Sequence, residues 1–184
     1  MSELKYRKRI VDTMLKRRLM TMGAVLIEGP KLCGKSTTAL QQAASVLNME
    51  PGRTLKLARL DPKLILQGEV PRLLDEWQLA PNLWDAIRRE VDARNGEKGQ
   101  FMLTGSAVPV DVSLLKHSGT GRFAWLKMRL MTLVESGESS GAVSLKALFD
   151  GKHEIGCVSN GSLEETAFCA CRGGWPPALQ LEPE

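Results

Sequence analysis

The sequence predicts an α/β fold, with a parallel five-stranded sheet flanked by helices and a small helical C-terminal tail. Three observations lead to this prediction. Short apolar segments alternate with amphipathic ones between residue 24 and about residue 130, which is typical of a parallel sheet. The composition, 43% apolar and 25% charged, is that of a folded globular chain. Beyond residue 130 the sequence becomes rich in Gly and Ser, and short helices replace the strand pattern.

The N-terminal segment, residues 1–22, is predicted to be a basic amphipathic helix. Apolar residues recur at helical spacing between residues 5 and 22, and lysines and arginines occupy the remaining positions. The predicted apolar face consists of Ile10, Met14, Leu15, Leu19 and Met22. Gly23 is expected to end the helix.

The core is predicted to span residues 23–130. Its five strands are expected at 24–29, 54–61, 70–77, 100–106 and 122–130. Helices are expected at 35–48, at 63–67 and within 79–95. The remaining segment, residues 131–184, is predicted to be small and mostly helical, with helices at 145–149 and 163–171. A capping box of Ser162 and Glu165 and a terminating Gly173 bound the last helix.

Residues 29–36, GPKLCGKS, match the pattern G-x-x-x-x-G-K-[ST] between a predicted buried strand and a predicted helix. Backbone N–H groups of such a loop wrap a phosphate, and glycines stand where a side chain would collide. The lysine reaches the β- and γ-phosphates, and the Ser36 hydroxyl is a ligand for Mg²⁺. We therefore predict that ATP is bound by Gly29, Pro30, Lys31, Leu32, Cys33, Gly34, Lys35, Ser36 and Thr37.

Two further strands end in polar residues, at the sheet edge where ligands of open parallel sheets gather. The segment RLLDE ends in Asp75 and Glu76. Asp75 is predicted to hold Mg²⁺, and Glu76 to orient or deprotonate the attacking water. Thr104 and Ser106 follow the next strand and are candidates for contact with the γ-phosphate or the water, with Gln78 a weaker candidate of the same type.

Five blocks in order resemble a family of predicted prokaryotic AAA+ superfamily ATPases: EGPKLCGKSTTA, RLLDEWQ, LTGSAVP, SGTGRFAWLKMR and RGGWP. Members carry an N-terminal AAA-type core and a C-terminal domain of unknown function. The resemblance implies that residues 29–36 are the Walker A loop, Asp75 and Glu76 the Walker B pair, and Thr104 and Ser106 the sensor-1 region. It also implies that Arg122 is an arginine-finger or sensor candidate, with a salt bridge at the start of the fifth strand as the alternative.

The leading functional hypothesis is an AAA+ type P-loop ATPase that binds and hydrolyses ATP with Mg²⁺. One alternative is a P-loop kinase for a small molecule. Another is a nucleic-acid-binding module switched by ATP, motivated by the basic N-terminal helix and a net charge of +4. The second domain of the family is expected to be missing here, so hydrolysis by this chain alone stays open. The process served also stays open.

The cellular setting and the partners are predicted more coarsely. We expect a cytoplasmic chain with reduced thiols, because no signal peptide or membrane span is recognisable and the cysteines are scattered. The expected ligands are ATP and ADP. A homo-oligomer and an unidentified protein or nucleic-acid partner are the remaining expectations, and no contact with a membrane is expected.

Overall fold

The computed structural model of the chain describes residues 6–105, 119–152 and 161–181. The chain divides into two compact units. The larger unit comprises residues 9–129, and the smaller comprises residues 1–8 together with 130–184. The N-terminal helix therefore belongs to the larger unit.

The larger unit is built on a five-stranded sheet in which every described pair of strands is parallel. The strands are β1 (Ala24–Glu28), β2 (Ser45–Asn48), β3 (Arg72–Asp75), β4 (Phe101–Thr104) and β5 (Phe123–Lys127). Their order across the sheet is β2-β3-β4-β1-β5. The fold class predicted from the sequence, α/β with a parallel five-stranded sheet flanked by helices, is confirmed.

Helices cover both faces of this sheet. They are α1 (Ile10–Thr21), α2 (Lys35–Leu40), α3 (Arg53–Leu60), α4 (Pro62–Ile65) and α5 (Asn82–Ala93), with a 3₁₀ turn at Trp77–Leu79. Side chains of α3, α4 and α5 share one apolar cluster with Leu74, Phe101 and Phe123 of the sheet. In that cluster Trp84 stacks on Phe123 with ring centroids 4.0 Å apart. On the other side, α1 contacts β1 and β5, and α2 contacts β3 and β4.

One strand lies in a different segment from the one predicted. The predicted helix 35–48 ends at Leu40, and residues 45–48 form the edge strand β2, anchored where the Ala44 N–H donates to the Pro71 carbonyl at 2.9 Å. The predicted strand 54–61 is the helix α3, which begins after Gly52. Leu55 and Leu57 fit a period of two, but the buried pair is Leu55 and Ala58, which is a helical spacing.

The N-terminal helix is shorter than predicted and uses a different face. It begins at Ile10, because the Asp12 carboxylate accepts the Arg9 N–H at 2.8 Å and so caps the first turn. Its buried residues are Val11, Asp12, Leu15 and Leu19. Ile10 and Met14, expected in the apolar face, are exposed. Arg9, expected on the basic outer face, is only 5% exposed.

The described part of residues 131–184 contains helices and no strand, as the sequence predicts for this segment. Its helices are α6 (Leu133–Ser136), α7 (Leu145–Phe149) and α8 (Leu163–Arg172), followed by a 3₁₀ turn at Pro176–Gln180. Ser162 and Glu165 form the predicted capping box of α8, which ends at Gly173. The Arg172 guanidinium pairs with Glu138 at 2.7 Å, and the Met131 N–H donates to the Gly174 carbonyl at 2.8 Å.

Among the described residues, no helix combines the length and the apolar character that crossing a bilayer requires.

The helical assignment of 53–60 is testable with two leucines of the same helix. Leu55→Ala is expected to lower the free energy of unfolding by about 2 to 3 kcal/mol, because Leu55 lies in the apolar cluster. Leu60→Ala is the matched control and should change it by less than about 0.5 kcal/mol, since Leu60 is 85% exposed. Chemical denaturation measures both. Equal losses would contradict this placement of α3.

Candidate functional site

The phosphate loop, residues 29–36, joins the carboxyl end of β1 to the first turn of α2. Two of its residues have left-handed backbone conformations, Leu32 at φ 63° and Gly34 at φ 96°. Gly29 lies so close to the backbone that follows β5 that a Cβ there would collide with the Met128 carbonyl oxygen. Position 29 thus requires glycine because a side chain would collide with the neighbouring backbone. Position 34 favours glycine because of its left-handed conformation.

Side chains of the loop divide into buried and exposed groups. Cys33 is fully buried and Lys35 is 7% exposed, whereas Pro30, Lys31, Leu32 and the following Thr37 are exposed. The Lys35 ammonium donates to the carbonyls of Gly29 at 2.9 Å and Pro30 at 2.8 Å. The lysine therefore folds over the loop from the start of α2, with its charge held against neutral acceptors.

Asp75 lies at the centre of a hydrogen-bonded cluster at the carboxyl edge of the sheet. Its Oδ1 accepts from the Thr104 hydroxyl at 2.6 Å, the Ser36 hydroxyl at 2.9 Å and the Glu76 N–H at 3.1 Å. The strand register brings Asp75 and Thr104 together, because the two residues are paired across β3 and β4. Three predicted site residues from three separate segments, Ser36, Asp75 and Thr104, thus meet at one carboxylate oxygen.

Glu76 follows β3 in a left-handed conformation, at φ 55°. Non-glycine residues adopt this conformation infrequently, and such residues concentrate at functional sites. The Glu76 carboxylate accepts a short hydrogen bond from the Gln78 amide. Gly105 allows that arrangement, because a Cβ at this position would collide with the Gln78 side-chain oxygen. That oxygen is buried and has no hydrogen-bond partner among the described residues.

One described candidate from the sequence, Arg122, lies apart from this cluster. Ser106 falls outside the described residues. Arg122 precedes β5 at the opposite, amino edge of the sheet, where its carbonyl accepts the Ala24 N–H. Lys127, the partner of Glu28, lies five positions further along the chain. At roughly 3.3 Å per residue, Arg122 is therefore about 16 Å from the edge of the sheet at which the loop begins.

Arg122 forms an ion pair with Asp92 near the end of α5. Its Nε and Nη2 donate to the two Asp92 carboxylate oxygens at 2.9 and 3.2 Å. This hydrogen bond holds the pKa of Asp92 below its ordinary value, with the charges of Arg122 and Arg88 acting in the same direction, and it raises the pKa of Arg122. Both side chains are largely exposed, so the pair contributes little to the stability of the fold.

Sequence reasoning missed one residue that contacts the loop. The buried Arg9 guanidinium donates to the Cys33 carbonyl, inside the loop, at 2.9 Å and to the Arg129 carbonyl at 2.9 Å. The capping residue Asp12, three positions after Arg9, is the signal that would have placed the helix start correctly. No pattern in the sequence identifies the two carbonyls.

One family of known proteins matches the segment that contains the loop and the sheet. Residues 21–136 match the AAA domain family. Uncharacterised proteins of Mycobacterium bovis and Mycobacterium tuberculosis are each 31% identical to this chain over 130 residues, covering 68% of it and 29% of the relative. The chain thus spans less than a third of the length of these relatives.

A solved structure of Caenorhabditis elegans PCH-2 is a more distant likeness. It matches at 13% identity and a TM-score of 0.41, covering 87% of this chain and 53% of that one.

The ion pair of Arg122 predicts a titration that NMR can follow. In the folded chain Asp92 should titrate below its ordinary pKa, and Arg122→Gln should move the pKa upward. Arg89→Gln, an exposed arginine on the same helix, is the control and should leave it in place. Because the folded pKa is the lower one, the stabilisation is present above the unfolded pKa and is lost as pH falls through the folded value. An Asp92 pKa unaffected by Arg122→Gln would contradict the pairing.

Proposed function

The chain belongs to the AAA domain family, a family of P-loop ATPases, and on that premise we propose that it binds ATP with Mg²⁺ and hydrolyses it. The observation that carries the proposal is the cluster at Asp75. One carboxylate oxygen lies within hydrogen-bond distance of the Ser36 hydroxyl, which closes the phosphate loop, and of the Thr104 hydroxyl from the neighbouring strand. Glu76 is the next residue along the chain.

Phosphate binding is assigned to the loop itself. The loop N–H groups and the amino end of α2 present positive partial charge to an anion. The Lys35 ammonium already lies over the loop, where its hydrogen-bond acceptors among the described residues are two neutral carbonyls. Phosphate oxygens are stronger acceptors for an ammonium group than carbonyls are, so the β- and γ-phosphates would take their place.

The oxygens near Asp75 fit a magnesium ion. Mg²⁺ prefers hard oxygen ligands and binds proteins through one or two such side chains together with phosphate and water. Ser36 and Asp75 supply a hydroxyl and a carboxylate 2.9 Å apart, at the foot of the loop. When bound, the ion neutralises charge that develops on the β- and γ-phosphate oxygens.

Glu76 is the proposed general base for water. In the proposed step a water oxygen forms a bond to the γ-phosphorus while the bond from that phosphorus to the β,γ-bridging oxygen breaks. The water proton passes to the Glu76 carboxylate, and the products are ADP and phosphate. Gln78 donates to the same carboxylate and so fixes its direction, and Thr104 holds Asp75 in place. Ser106 is retained as a further candidate for contact with the γ-phosphate.

Arg122 enters this scheme only through a second subunit. It precedes β5 at the amino edge of the sheet, a strand length from the phosphate loop of its own chain. An exposed guanidinium at that edge would instead reach the γ-phosphate on an adjacent subunit. We therefore propose that the active form is a homo-oligomer in which Arg122 is the arginine finger, and that Arg122 pairs with Asp92 when it does not contact nucleotide.

The partner of this chain is proposed here only by its chemical class. The relatives are more than three times as long as their matching part. We propose that this chain carries out nucleotide binding and hydrolysis, and that its partner besides the nucleotide is a protein or a nucleic acid.

Two substitutions separate binding from hydrolysis. Lys35→Ala should weaken Mg·ATP binding by about 10- to 100-fold, because a charge-assisted contact to phosphate is lost. Glu76→Gln should keep binding and lower kcat by about a hundred-fold or more. Fluorescent ATP titration and phosphate release measure the two effects. The exposed residues Lys56 and Glu69 offer the controls Lys56→Ala and Glu69→Gln, which should behave like wild type.

Phosphate release also distinguishes hydrolysis of ATP from transfer of its γ-phosphoryl group to an acceptor molecule. ADP formed without free phosphate, in the presence of a small-molecule acceptor, would identify a kinase and overturn the proposal. Wild-type behaviour of both Lys35→Ala and Glu76→Gln would overturn the assignment of the site.

A mixing experiment tests the role of Arg122 in a neighbouring subunit. Arg122→Ala should retain ATP binding and lose about a thousand-fold in kcat, as loss of an arginine finger does. Mixed with Glu76→Gln, it should regain measurable hydrolysis, because mixed interfaces then combine an intact Glu76 with an intact Arg122. No gain on mixing, or an unchanged kcat in Arg122→Ala, would contradict action between subunits.

A further inference from the structure

Arg9 connects three parts of the larger unit. It directly precedes α1 and is only 5% exposed, although arginine usually keeps its charge in water. Its Nη1 donates to the Cys33 carbonyl and its Nη2 to the Arg129 carbonyl, each at 2.9 Å. Those carbonyls lie 24 and 120 positions away along the chain, so the guanidinium ties the phosphate loop to the segment that follows β5.

The backbone of Arg9 is fixed as firmly as its side chain. Its N–H donates to the Asp12 carboxylate at 2.8 Å, and its carbonyl accepts the Asp12 N–H at 3.1 Å. The helix behind it is anchored by Leu15, which is fully buried. The two nitrogens therefore project from a rigid base, and the planar guanidinium fork sets the positions of both carbonyls at once.

The contact at Cys33 has a consequence for the next residue. A peptide unit is planar and trans, so the carbonyl of Cys33 and the N–H of Gly34 point to opposite sides of it. Holding that carbonyl toward Arg9 turns the Gly34 N–H away from Arg9. Gly34, at φ 96°, can accept this orientation where another residue would be strained.

We propose that Arg9 is a positioning residue of the phosphate loop, which fixes the Cys33–Gly34 peptide so that the Gly34 N–H faces the bound phosphate. The proposal rests on the proposed function, since a phosphate must occupy the loop. It assigns to the N-terminal helix a part in nucleotide affinity. Arg9 itself contacts no nucleotide and acts through the peptide that it holds.

The peptide in question can be observed alone. Cys33–Gly34 is the only Cys-Gly pair in the sequence, so ¹³C-carbonyl cysteine with ¹⁵N-glycine yields a single correlated amide signal. Spectra of the full chain are recorded with and without Mg·ADP, and the Kd for Mg·ADP is measured on the same samples. The variants are Arg9→Met and Arg9→Lys. Arg17→Met removes an exposed arginine from the same helix and is the matched control.

In wild type, Mg·ADP should shift the Gly34 amide signal. In Arg9→Met that shift should shrink and the Kd should rise about ten-fold or more, as expected when a hydrogen bond from a charged donor is lost. In Arg9→Lys the signal shift and the Kd should both lie between those of wild type and Arg9→Met, because one ammonium group cannot bond to both carbonyls as the guanidinium does. Arg17→Met should match wild type. If Arg9→Met does not fold, Arg9→Lys decides by the same two measurements.

A purely structural role for Arg9 predicts a different result. A folded Arg9→Met with a lower melting temperature but an unchanged Kd and an unchanged Gly34 shift would overturn the proposal. Spectra of the chain without nucleotide distinguish failure of this proposal from failure of the proposed function. If wild type does not bind Mg·ADP, the ATPase proposal fails, whereas the Cys33 carbonyl signal still reports the Arg9 contact: it should move in Arg9→Met and not in Arg17→Met, and no movement would overturn the contact.

Discussion

The arrangement of the site depends on the hydrogen bonds to one oxygen of Asp75. Ser36, Thr104 and the Glu76 N–H meet there, and they come from the start of α2, from β4 and from the turn after β3. Because side chains alternate along a strand, a shift of β3 by one residue would turn Asp75 to the opposite face and separate it from Ser36. The register of β3 against β4, fixed by a buried apolar core, is therefore also what assembles the chemistry.

The phosphate loop is held in shape from several directions. Lys35 bonds to the carbonyls of its first two residues, and Arg9 bonds to the Cys33 carbonyl near its end. The backbone after β5 closes against Gly29, which leaves no room for a side chain. Under the proposed function, a loop held in this way binds an anion without first having to be ordered, so less of the binding energy is lost to conformational entropy.

Sequence reasoning succeeded where the signal is local. The loop motif, the acidic end of β3 and the capping box of α8 each involve neighbouring residues whose chemistry is readable in one short segment. It failed at 45–48 and 53–60, because segments of four to eight residues are too short to separate the helical from the strand period. In 53–60, Leu55 and Leu57 have a strand spacing, whereas Leu57 and Leu60 have a helical one. The choice was made by contacts: Ala44 bonds to Pro71 beside β3, and Leu55 and Ala58 pack into the core.

The sequence by itself determined the fold class, the position of the loop between β1 and α2, and the residue types that meet at Asp75, because each depends on local pattern and backbone requirements. Only the tertiary structure decided which residues share a site. It brought Thr104 to Asp75, put Arg122 beside Asp92 at the other edge of the sheet, and buried Arg9 against the loop. These pairings join residues far apart in the chain, and the strand order and register that create them are set by the packing of the whole core.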